Sequence, residues 1–172
     1  MEHQAPGSQP VKAPLIRSPG KLVAAVILCN LAGILGSLVT ITGEGSWYST
    51  ILKPSFNPPG FLFGPVWTLL YILMGISLYL VWMEGPARKE VRLALIAFAI
   101  QLGLNTLWSF LFFGLQSPFL GLVEIVILWI SIVATVILFY RVNRTAAILL
   151  IPYLAWVSFA TFLTYNIWIL NG

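Results

Sequence analysis

Polar side chains inside long apolar segments are where this sequence has chemistry to offer, because each is costly in hydrocarbon. Gln101, Asn105 and Trp108 fall at i, i+4 and i+7, with Phe112 at i+11. That spacing puts all four on one helical face. Two amides beside an indole suit an apolar ligand with a few polar handles. The same amides can equally glue helices together. Phe63, Trp67, Tyr71 and Met74 make a second stripe. Trp156 and Ala160 make a third, with Tyr153 a turn earlier. Aromatic stripes more often pack than bind, but three of them, one carrying amides, favour a pocket. Glu124 is the only acid well inside an apolar run, about 8 Å from its start by helical rise. It must find a polar partner, a neutral form or a place in a cavity.

Other reactive groups are scarce. Cys29 is the only cysteine, which excludes an internal disulfide and a cysteine metal cluster. His3, the only histidine, lies in a polar leader, so no histidine catalysis or metal site is expected. No phosphate-binding, dinucleotide or nucleophile-elbow motif is present. Asn143-Arg144-Thr145 matches a glycosylation sequon but reads as a chance match in a tight link.

The elements that must position these residues are long apolar helices. The 172 residues are 59% hydrophobic and 8% charged, with mean hydropathy +0.95. Soluble domains carry roughly 25% charge. Leu22–Thr42, Phe61–Met83, Leu93–Phe113, Phe119–Tyr140 and Ala146–Leu170 each suffice to cross a bilayer. They lack the alternation of a membrane barrel. The expected fold is an all-α integral membrane protein, a five-transmembrane-helix bundle over residues 21–172. Residues 1–20, rich in Pro, Gly and polar side chains, read as a disordered tail. The run that follows is too long for a signal peptide, so a retained first helix is expected.

Between the first two spans, Trp47–Trp67 holds two Trp, one Tyr, three Phe and four Pro, with Lys53 its only charge. It reads as a rigid aromatic cap over something held between helices, with Trp47 and Phe56 among its rings. Eight of the nine basic residues fall in the leader and in the second–third and fourth–fifth links. The positive-inside rule therefore puts the N-terminus in the cytoplasm, and the cap and C-terminus outside. No basic stripe for nucleic acid is present. Ala32/Gly36, Gly33/Ser37 and Ala99/Gly103 recur at four-residue spacing, fit for close packing within the bundle or for a homodimer.

These residues carry a resemblance. Trp47-Tyr48, Lys53-Pro54, Asn57-Pro58-Pro59, Gly64-Pro65-Val66-Trp67, Gln101-Leu102 with Asn105 and Trp108, Phe112-Phe113-Gly114 and Pro152-Tyr153-Leu154-Ala155-Trp156 resemble the TspO/translocator protein family. The likeness covers nearly everything after the leader. It implies a five-helix bundle, commonly a homodimer, that binds tetrapyrroles such as protoporphyrin IX and haem as ligands, and sterol-like molecules. No other cofactor is expected. Carried over by position, the pocket lining would be Phe63, Trp67, Tyr71, Gln101, Asn105, Trp108, Trp156 and Ala160. The resemblance also implies, as alternatives, transport of a lipophile or light- and oxygen-dependent porphyrin degradation using Trp67 and Trp156.

The chain departs from the family pattern at two places. Phe56 stands where K-P-x-W-x-P-P has Trp, which removes an indole donor. Leu163-Thr164-Tyr165 replaces L-N-Y, and no basic residue follows Tyr165. The second departure weakens a sterol reading and favours a microbial-type tetrapyrrole role.

Overall fold

A computed structural model describes residues 17–172. The leader's Lys12 and His3 lie outside the described residues. Seven helices follow in order: α1 (Pro19–Ser37), α2 (Trp47–Thr50), α3 (Gly60–Trp82), α4 (Lys89–Ser109), α5 (Pro118–Val142), α6 (Arg144–Leu149) and α7 (Ile151–Asn171). Five segments are long and apolar enough to span a membrane: α1, α3, α4 with its extension to Gly114, α5, and α6 continued by α7. Helices apolar on all sides belong in lipid. Ile27, Leu31, Ile96, Ile100 and Ile130 point outward accordingly, while Gln101, Glu124 and Thr135 are buried inside the bundle.

Helix ends follow local chemistry. The first apolar run extends to Thr42, but α1 stops at Ser37. There Ser37 Oγ donates to the Ile34 carbonyl at 2.7 Å and Thr40 Oγ1 to the Gly36 carbonyl at 2.9 Å. The last carbonyls are thus satisfied outside the helix ladder. Pro118 opens α5, with Ser117 Oγ accepting from the Leu120 amide. The fifth span is divided where the sequence reads as continuous. Pro152 has no N–H for the preceding turn, so the chain breaks at Leu150 between α6 and α7. Asn143 of the sequon caps α6, accepting from the Ala146 amide at 3.1 Å and donating to Glu84 at 3.0 Å.

Helix α4 does not stop at Ser109. It loosens into a π-helical turn, Phe110–Gly114, closed by the Leu115 amide on the Phe110 carbonyl at 2.8 Å. Such turns are rare and cluster at functional sites. This one turns Phe112 inward, 1% exposed, to stack on Trp108 with centroids 5.1 Å apart.

Helices α1 and α3 pack closely. A Cβ at Gly75 would lie 2.5 Å from Val26 Cα, and one at Gly33 would enter the Tyr71 ring. Gly36 abuts Ser109. Gly33 and Gly36 of the α1 small-residue face are therefore used for packing within the bundle. Gly103, in contrast, is exposed on α4 with nothing within 4 Å of its would-be Cβ.

Candidate functional site

A cavity of about 660 Å³ lies among the lid-side halves of all five spans. Ligand sites for molecules of this class run from roughly 300 to 1,000 Å³. Helix α3 supplies Phe63, Trp67 and Tyr71, α4 supplies Asn105 and Trp108, and α7 supplies Trp156 and Ala160. These are the faces that helical spacing picks out. Trp67 stacks on Tyr71 at 5.5 Å between centroids, and Phe63 meets Trp156 edge-on at 6.1 Å. One wall is therefore a stacked aromatic surface and another an edge-on ring pair.

Polar handles punctuate these walls. The Tyr71 hydroxyl donates to Asn105 Oδ1 at 2.5 Å, joining α3 to α4. Trp108 Nε1 donates to the Gly121 carbonyl at 3.1 Å, so that indole is engaged in holding α4 against α5.

The lid is the Trp47–Pro59 stretch with its short helix α2. Ser46 caps α2 by accepting from the Ser49 amide at 3.2 Å. The Tyr48 hydroxyl donates to Asn57 Oδ1 at 2.9 Å. Burial pushes the Tyr48 phenol upward from its ordinary value, and the Asn57 bond offsets part of that. At the far end Asn171 grips the lid backbone. It accepts from the Leu52 amide at 2.9 Å and donates to the Leu52 carbonyl at 2.9 Å. Tyr48, Lys53 and Asn57 face the cavity.

Five residues expected at the site lie outside the lining. Trp47 packs edge-on against Phe112 at 5.6 Å and buttresses the lid from behind. Phe56 is 41% exposed and stacks on Phe162 at 5.3 Å, on the outer surface of α7. Neither lid ring lines the cavity: Phe56 sits in the turn closed by the Asn57 amide on the Pro54 carbonyl, and Trp47 opens α2. Gln101, Glu124 and Tyr153 form a buried polar layer beside the cavity's deep end. Gln101 is one helical turn beyond Asn105, and Tyr153 meets Trp67 edge-on at 6.3 Å. Five of their buried polar atoms have no protein partner among the described residues. Native proteins leave few such groups dry.

The lining also contains residues that stripe-reading overlooked. Asn30, Gly33 and Ser37 bring α1 to the site, and Leu163, Thr164 and Ile167 extend the α7 wall toward the lid. Asn30, the one amide inside the first span, carries the same buried-polar signal as Asn105. Thr164 is one of the two departures from the family pattern.

Fold and site together define a multi-pass integral membrane protein with a lidded, aromatic-walled cavity. The sequence is 49% identical to the tryptophan-rich protein TspO of Chlorobaculum tepidum, over 87% of this chain and 95% of that protein. Identity to the TspO of Archaeoglobus fulgidus is 46%, over 88% of this chain and 97% of that one. The bovine translocator protein is 39% identical over 85% of this chain and 87% of its own. The TspO/MBR family profile matches residues 25–169, and the chain belongs to that family.

Proposed function

We propose that this protein is a membrane receptor for tetrapyrroles of the protoporphyrin IX and haem type, acting in sensing or sequestration. A receptor or sensory role in the membrane is the common ground of its relatives, one of which is the tryptophan-rich sensory protein of Cereibacter sphaeroides. The observation that carries the ligand class is the coincidence of a stacked aromatic surface, Trp67 on Tyr71, and the edge-on pair Phe63 and Trp156 with a cavity of about 660 Å³. A flat conjugated macrocycle satisfies such walls by stacking. The lining ends near the level of Tyr71 and Asn105, which supports binding rather than passage through the protein. The N-terminus is assigned to the cytoplasm on the eight-to-one split of basic residues. A homodimer is proposed through the exposed α4 face of Ala99 and Gly103.

The test is a titration of the purified protein with protoporphyrin IX, read by tryptophan fluorescence. Saturable quenching is expected, and Trp67→Phe with Trp156→Phe should weaken it about 10-fold, the loss of ~1.4 kcal/mol of stacking. Unchanged affinity in the double variant would refute the pocket assignment.

The Trp67–Tyr71 stack supports a second reading. Excited porphyrin with oxygen would oxidise the adjacent indole, and Tyr71 could pass an electron to it. Repeating the titration under illumination checks this. Bound porphyrin should bleach at a rate different from that of free porphyrin, and equal rates would exclude the reading.

A further inference from the structure

Lys53 is the one charged side chain in the cavity lining among the described residues. It sits in the lid, half-buried, above an otherwise aromatic and hydroxyl- or amide-bearing wall. Its ammonium donates to the Ile51 carbonyl at 3.0 Å and lies 4.9 Å from the Tyr48 ring centroid. Neither contact carries a charge. An ammonium has three donors, so the carbonyl leaves donor capacity directed to other acceptors. Tyr48 is itself fixed by Asn57 at 2.9 Å, and both line the cavity. The lysine is thus held against a rigid partner rather than free to trail in water.

We propose that Lys53 reads a carboxylate on the cavity's occupant, so that the ligand binds with its acidic edge under the lid and its apolar body between Trp67 and Trp156. Three features converge on this. The positive charge is single and lies at the lid end. The opposite, deep end holds the Tyr71–Asn105 pair, bonded to each other, and among the described residues offers no cation to an anion. Moreover, a charge-assisted hydrogen bond in a partly dry site is about twice as strong as a neutral one. The chemical class is therefore a planar or bulky apolar acid, bound with one polarity. This rests on the ligand-binding reading of the cavity but not on the ligand being a tetrapyrrole.

The experiment measures acid-to-ester affinity ratios in nanodiscs of zwitterionic phosphatidylcholine, using two probe pairs. One is protoporphyrin IX and its dimethyl ester; the other is pyrenebutyric acid and its methyl ester. The wild-type protein should favour each acid roughly 10-fold or more, the scale of one charge-assisted bond. Lys53→Met should bring the ratio near 1, and Lys53→Arg should largely keep it. A preference shown by the pyrene pair alone would retain the lysine's role while rejecting the tetrapyrrole reading. A wild-type ratio near 1 for both pairs, or no binding of either, overturns the proposal whatever the variants do. Adding phosphatidylglycerol should leave the ratios unchanged. Collapse of the ratios on that addition would assign Lys53 to lipid headgroups and equally overturn it.

Discussion

Glu124 is the residue whose role is decided most simply by substitution. It is 5% exposed and neither carboxyl oxygen has a protein partner among the described residues. A buried polar group left unpaired costs about 1–3 kcal/mol. If nothing else satisfies it, Glu124→Met should raise the unfolding midpoint in detergent by that amount of stability. A lowered midpoint would mean that Glu124 has a partner such as ordered water, bridging to Gln101 or Tyr153. The two results have opposite sign, so one thermal melt per variant separates them. Asn105 sits differently: it holds Tyr71 and faces the cavity, so its substitution should disturb both packing and binding.

At the scale of elements, the lid is fastened at two places. Tyr48 bonds Asn57 within it, and Asn171 at the end of α7 clasps Leu52 through both its amide atoms. Asn171→Ala removes the second fastening without touching the cavity lining. The expected outcome is faster ligand release, roughly 5–30-fold for the loss of two neutral hydrogen bonds worth ~1–2 kcal/mol. Stopped-flow displacement of bound protoporphyrin measures it, and an unchanged off-rate would show that the clasp does not gate release. How much of this was legible in the sequence depended on periodicity. Trp67, Tyr71, Asn105, Trp108 and Trp156 were recoverable because helical spacing fixes a face before any tertiary contact is known. Trp47 and Phe56 were misplaced because a loop has no period, so nothing in it says which way a ring points. Gln101 shares its stripe with Asn105, yet one turn along a helix is enough to leave the cavity. The α1 wall was missed because Gly33 and Ser37 read as a close-packing face, and Asn30 stands alone with no aromatic stripe beside it. The α6–α7 break was foreshadowed only by Pro152.

For the whole molecule, a bundle apolar over its outer surface leaves few outward features that could specify a neighbour. Ala99 and Gly103 on α4 are one such feature: both are exposed, and nothing fills the space above Gly103. Close helix approach across small residues is a common route to membrane association. Gly103→Leu should therefore shift the protein toward monomer in dilute detergent, with its unfolding midpoint little changed. Light scattering coupled to size exclusion reads this directly. A wild-type protein that is already monomeric would remove the dimer from the proposal.

The contact of Gly75 with Val26 sets a limit on how this protein can accommodate guests of different size. Backbone meets backbone there, so the two helices cannot draw closer or slide without a clash. Toward the lid the same helices both line the cavity, with Ser37 on one and Gly64 on the other. The pair therefore works as a clothes-peg with a fixed fulcrum. A guest wider than the resting cavity is expected to prise the free ends apart, which would be read as a larger angle between α1 and α3. A residue added at the fulcrum, as in Gly75→Ala, would wedge the peg open at its closed end and degrade that calibration.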